Sequence, residues 1–192
     1  NTKKYYNKLK NLKNKKSIFF IIDKFKVKSK KNQKIKIFKQ NDILIFSVID
    51  WHFRFQRPQQ IASALENSNY RVFYFNPHLI ESKKPGYKLE MIDNDKKIYL
   101  VSLFIRKFES IYFNSPSKEN ETFLKESIAK LIYKLEIKNM TSIVQHSYWS
   151  NLSLTLPSKS LIYDCMDHHE GFGDVPSELI NREKEMLRRA DS

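Results

Sequence analysis

Three short stretches carry most of the side chains in this sequence that are able to do chemistry. The first, Asp50-Trp51-His52-Phe53-Arg54-Phe55-Gln56-Arg57-Pro58, packs an aspartate, a histidine, two arginines and a tryptophan into one connection. A plain turn would use Gly, Asn or Ser. The second runs from His146 to Trp149. The third is Asp164 to Glu170, where Asp164, Asp167, His168, His169 and Glu170 crowd a turn before Gly171-Phe172-Gly173. Arg54 and Arg57 stand just ahead of Pro58, a residue suited to open a helix. Helix amino termini favour anions, and arginine adds bidentate contacts to phosphate or carboxylate. The competing reading is that these arginines pair with Asp50 or Asp164 and brace the loop. Trp51, next to His52, either packs or stacks on a ligand. His146, at a strand end, is a candidate base or hydrogen-bonding partner for an acceptor hydroxyl. Adjacent histidines point in different directions and no zinc spacing is present, so no metal site is expected.

The elements that must position these residues follow from hydrophobic pattern. Asp42 to Val48 is a continuous apolar run of the length and β-branched content of a strand buried on both faces. Pro58 to about Asn67 forms a helix with Ile61, Ala62 and Leu65 on one face, and Tyr70 to Phe75 is a second strand ending at Asn76-Pro77. Strand, helix and strand in some thirty residues make a βαβ unit with parallel strands. Tyr87 to Ile92 and Lys97 to Leu103 are further strands joined by the turn signal Asp93-Asn94-Asp95. Ser117 to Glu136 is a helix with Leu124, Ile128, Leu131 and Leu135 in period. Thr141 to Gln145 and Ser160 to Asp164 are strands, and Pro176 to Arg189 is a helix with Leu179, Ile180, Met186 and Leu187 on one side. The expected fold is an α/β layered domain with a mostly parallel sheet. In such sheets ligands bind beyond the carboxyl ends of the strands, where all three stretches arrive.

Charge divides the chain in two. Of 35 Lys and Arg, 15 lysines fall in residues 1–40 against the single acid Asp23, which leaves 20 basic and 20 acidic residues for the remainder. The net charge of +14 therefore belongs to an amino-terminal extension or linker, residues 1–40, attached to a neutral domain, residues 41–192. Within the extension, Asn1 to Lys16 is expected to be frayed helix or disordered, Ser17 to Val27 an edge strand or interfacial segment, and Lys28 to Lys36 a linker. Cys165 is the only cysteine, so no intrachain disulfide forms and a reducing cytoplasm fits. The apolar run Ile18 to Ile22 is far short of the ~20 residues that cross a bilayer, so any membrane association is peripheral, at the inner face of the plasma membrane. Both ends of the chain read as cuts in a longer one. With three glycines, at 86, 171 and 173, neither a dinucleotide fingerprint nor a P-loop can be built. No nucleophile elbow occurs, and the neutral domain lacks the paired aromatics of an RNA-binding module, so nucleic acid is an unlikely partner there.

Taken together, Ile43 to Val48, Trp51 to Gln60, Val72-Phe73-Tyr74-Phe75-Asn76-Pro77, Leu161-Ile162-Tyr163-Asp164-Cys165-Met166-Asp167 with Phe172, and Glu183 to Asp191 carry a resemblance. They resemble the amino-terminal half of bacterial GT-B fold glycosyltransferases, in the glycosyltransferase 4-like group that acts on cell-surface polysaccharides. The resemblance covers roughly residues 42 to 191. It implies a Rossmann-like domain that receives the acceptor glycan or lipid-linked acceptor, while a second domain, outside these 192 residues, grips a nucleotide-sugar donor. It implies no cofactor beyond that co-substrate and no catalytic metal. His146 falls in the strand-end area where relatives place a functional histidine, and the glycine-rich first loop of many relatives is replaced by Asp50 to Arg57.

On that reading Trp51, His52, Arg54 and Arg57 line one wall of the site, Asp164, Asp167 and His168 shape the acceptor pocket, and the domain alone is inactive. The rival is a non-catalytic binding or scaffold module whose basic arm contacts nucleic acid or anionic membrane. A degenerate transferase domain kept for interactions is the third. The arm itself is testable: if it tethers the protein to anionic lipid, deleting residues 1–40 abolishes sedimentation with phosphatidylglycerol vesicles. Binding that survives the deletion removes the arm from consideration.

Overall fold

The computed structural model describes residues 41–93, 96–167, 169–171, 173 and 175–192. The expectations for residues 1–40, Asn94, Asp95, His168 and Phe172 lie outside the described residues.

The strands are β1 (Asp42–Phe46), β2 (Arg71–Phe75), β3 (Ile80–Glu81), β4 (Tyr87–Met91), β5 (Ile98–Ile105), β6 (Thr141–Val144) and β7 (Ser160–Tyr163). The α-helices are α1 (Arg57–Asn67), α2 (Lys118–Lys134), α3 (Ser150–Thr155) and α4 (Ser177–Arg189). One seven-stranded sheet has the order β3-β5-β2-β1-β6-β7, with β4 off this path and paired with β5. Every pair is parallel except β4 with β5. The fold is α/β with a mostly parallel open sheet, Rossmann-like in its layering.

Strand alternation sorts the core. Leu44 and Phe46 of β1, with Phe73 and Phe75 of β2, face the layer made by α2, α3 and α4. Ile43 and Ile45, with Val72 and Tyr74, face Ala62, Ile61 and Leu65 of α1. All five residues of β1 are buried, as expected where helices cover both faces of a parallel sheet. Phe46 stacks on Phe75 at 4.5 Å between ring centroids, and buried Trp149 donates its indole N–H to the Ser47 carbonyl at 3.0 Å. That bond ties the exit of β6 to the exit of β1.

Several boundaries differ from expectation. β1 ends at Phe46 because the Ser47 hydroxyl turns to its own loop, bonding both the N–H and the carbonyl of Ile49 at 3.0 Å. α1 begins at Arg57, so Pro58 is its second residue. In α4 the buried positions are Leu179, Glu183 and Met186, while Leu187 is 60% exposed. The Tyr163 hydroxyl draws Glu183 inward with a 2.8 Å hydrogen bond, and this rotates Leu187 to solvent. β3, α3 and the 3-10 turn Ser147–Trp149 have no counterpart in the sequence reading.

At the amino ends of the strands, opposite the site, buried Asp42 takes Arg71 in a bidentate pair (2.8 and 2.9 Å) and accepts the Lys138 N–H at 2.8 Å. Removing the carboxylate leaves a largely buried guanidinium and a main-chain donor without their acceptor. Asp42→Ala is expected to lower unfolding free energy by about 3–5 kcal/mol, read as a fall in the urea midpoint at unchanged slope.

Candidate functional site

Four neighbouring strands, β2, β1, β6 and β7, each exit into a buried polar residue: Asn76, Ser47, Gln145 and Asp164. The parallel ladder runs one step into all four. Asn76 N–H reaches the Val101 carbonyl (2.9 Å), Ser47 reaches Phe75 (3.2 Å), Gln145 reaches Phe46 (3.0 Å) and Asp164 reaches Val144 (2.9 Å). Main-chain hydrogen bonding thus sets these four in a row; Asn76, Ser47 and Asp164 hold the connection above, and Gln145 holds Asp164. Asn76 accepts the Trp51 N–H through Oδ1 at 3.1 Å. Ser47 Oγ and the Tyr74 hydroxyl sit 2.6 Å apart, and Tyr74 donates to the Ile49 carbonyl at 2.6 Å. Burial pushes the Tyr74 pKa up, so its hydroxyl stays protonated and remains a donor. Gln145 donates to Asp164 Oδ2 at 2.9 Å, and the other carboxylate oxygen takes the Arg57 guanidinium.

The Asp50–Arg57 connection is stapled from beneath by Gln59. This fully buried amide donates to the carbonyls of Arg54 (2.6 Å), Asp50 (3.2 Å) and Trp51 (3.4 Å), and its oxygen accepts the Gln56 N–H at 3.1 Å. The main chain is held, while the side chains of His52, Phe53 and Phe55 face outward, each mostly exposed.

Above the row lies an open cleft of about 1150 Å³. His52 and Asp167 line it, as does His146. So do Asp50, Phe53, His78, Tyr112 and Phe113. No family model, curated protein or solved structure matches this chain. What the site can do therefore rests on its own geometry.

The other expected site residues stand elsewhere. Trp51 packs edge-on against Tyr74, 5.0 Å between centroids, on the α1 side of the core. Arg54 lies over the Phe53 ring at 5.2 Å. Arg57 and Asp164 bind each other, which is the bracing arrangement, and neither lines the cleft. His168 lies outside the described residues. Among the described residues no group of three or more His, Cys, Asp or Glu converges as a metal ion would need, and no helix is long and apolar enough to cross a membrane.

His146 is buried, and its Nδ1 accepts the Tyr148 N–H at 3.1 Å. That nitrogen's lone pair is engaged, so the neutral ring carries its proton on Nε2. His78 and the aromatic pair Tyr112-Phe113 were missed in the sequence. His78 follows Asn76-Pro77 at the exit of β2, the same strand-end position that marks the other three stretches. Tyr112 arrives from the long connection 106–117, docked by a 2.8 Å hydrogen bond from its hydroxyl to the Val48 carbonyl. Burial and the Asp50 carboxylate raise the Tyr112 pKa and keep that proton in place. Cys165 is exposed, and burial of its thiol with Glu183 nearby raises its pKa, opposite to what a reactive thiolate needs.

The two arginines should separate cleanly by mutation. Arg57→Gln is expected to lower unfolding free energy by about 1–2 kcal/mol, because Asp164 keeps Gln145 but loses its countercharge. Arg54→Gln should stay within about 0.5 kcal/mol of the parent. Paired urea melts check both.

Proposed function

We propose that this chain is the acceptor-side half of a sugar-nucleotide-dependent glycosyltransferase of GT-B architecture. It would receive a cell-surface polysaccharide or lipid-linked glycan, while a second Rossmann-like domain outside residues 1–192 grips the donor. One observation carries the reading: the cleft sits at the carboxyl edge of a parallel sheet, where such folds bind ligands, and no described Lys or Arg lines it. Its charged and titratable groups are Asp50, Asp167, His52, His78, His146 and Tyr112. A diphosphate finds no arginine or lysine among the described lining residues, whereas carboxylate, imidazole and amide are the groups that hydrogen-bond hydroxyls. The division of labour follows: hydroxyl-rich acceptor here, phosphate-bearing donor elsewhere. His146, on the cleft wall, is the candidate base or acceptor ligand, and Asp164 with Arg57 supports the floor from outside the cleft.

Two measurements test the proposal. Incubated with UDP-, GDP-, dTDP- and CMP-sugars, residues 1–192 alone should release no nucleotide; turnover by this chain alone overturns the two-domain division. In the enzyme assembled with its donor half, Asp50→Asn should raise the acceptor KM about tenfold, in keeping with loss of a charge-assisted hydrogen bond, and leave the sugar-nucleotide KM unchanged. A change confined to the donor KM would assign the cleft to the donor instead.

A further inference from the structure

Two rings on the cleft wall stand in water. Phe53 is 68% exposed and Phe113 is 70% exposed, and they come from different connections, β1 to α1 and β5 to α2. Neither contributes its area to the core, and the main chain beside each is anchored. Tyr112 locks the second connection to the first through the Val48 carbonyl. Its ring stands edge-on to Phe113 at 6.4 Å and to His146 at 6.2 Å. Gln59 fixes the main chain on either side of Phe53. Apolar rings exposed at a polar cleft are poised to cover an apolar surface that itself carries polar groups.

A pyranose ring is such a surface: its axial C–H bonds form a weakly positive face that matches the negative face of an aromatic ring, and its equatorial hydroxyls reach sideways. The sideways partners are present. Asp50 accepts the His52 N–H through Oδ1 at 2.8 Å, and its Oδ2 stands 3.7 Å from His78 Nε2, too far for a direct hydrogen bond. Both groups keep capacity for a ligand hydroxyl. The cleft's fixed charge among the described lining residues is negative, from Asp50 and Asp167. Its volume exceeds the roughly 300–1,000 Å³ that encloses a drug-sized ligand, which is room for more than one sugar ring.

Resting on the function proposed above, we infer that the cleft takes an uncharged oligosaccharide of at least two sugar units, with pyranose faces stacked on Phe53 and Phe113. Asp50 and Asp167 select against uronate-rich or phosphorylated glycans, and the Arg54 guanidinium lies over the Phe53 ring at 5.2 Å, which leaves the other face of that ring for the sugar.

The probes are maltotetraose, cellotetraose and chitotetraose, with glucose and tetragalacturonate as comparisons, titrated into the isotope-labelled 192-residue chain and followed by amide chemical shifts. At least one neutral tetrasaccharide should saturate shifts within residues 50–56 and 112–113, and glucose should bind at least about tenfold more weakly. Phe53→Ser and Phe113→Ser, both at exposed positions that leave the fold intact, should each weaken tetrasaccharide binding several-fold. Combined they should weaken it by about tenfold or more, and Phe53→Tyr should restore it. Tetragalacturonate binding more tightly than every neutral probe, no neutral probe binding, or affinity indifferent to both rings would overturn the inference. Failure here is distinct from failure of the proposed function. Glycan binding without any transfer by the assembled enzyme removes the transferase reading alone. Transfer to an acidic acceptor at a rate unchanged in the two serine variants removes this inference alone.

Discussion

Main-chain hydrogen bonding across β2, β1, β6 and β7 continues one residue beyond the strands, and that single extra step organises the functional end of the molecule. Because a parallel ladder spaces its bonds evenly, the four exit residues Asn76, Ser47, Gln145 and Asp164 must lie in line. Burial favours a partner for each polar side chain, since an unmatched buried polar group costs about 1–3 kcal/mol, and all four have one, although the Gln145 amide oxygen is left without. The partners are loop groups: the Trp51 N–H, the Ile49 main chain, and the Arg57 guanidinium by way of Asp164. The connections above the sheet are therefore shaped from the sheet upward. The cleft inherits its form from backbone geometry.

Charge is distributed with the same economy. The lysine excess is confined to residues 1–40, and the described cleft lining carries carboxylates and histidines without a cation. Arg57, the residue with the strongest apparent claim to a ligand, is spent on Asp164. A global charge of +14 thus says little about what the cleft holds; long-range attraction and local recognition are assigned to different parts of the chain.

Much of the fold was legible. β1 was readable as an unbroken apolar run because both faces are covered, and α2 because Leu124, Ile128 and Leu131 keep helical period on one buried face. What escaped notice depends on tertiary contact. Ile80–Glu81 is too short to show a pattern and is a strand only because β5 extends past β2 to receive it. Ser150–Thr155 has weak helical propensity, yet Leu152 and Leu154 are buried against the core. Leu187 broke the amphipathic expectation because a buried carboxylate, Glu183, took the inward position. At the site, the strand-exit rule located His52, His146 and Asp167 in the cleft, and the same rule applied to Pro77 leads to His78. Tyr112 and Phe113 had no such signal, since a contact between positions 48 and 112 brings them in.

The Gln59 staple has an evolutionary side. By gripping carbonyls and an N–H, it fixes the trace of the connection without regard to which side chains that connection displays. Positions 52, 53 and 55 are thereby released from any duty to the fold. A lineage can rewrite the chemistry it presents there one codon at a time while inheriting the same scaffold. The loop behaves as an interchangeable cassette, and the part that specifies its trace lies in a buried glutamine that does not line the cleft.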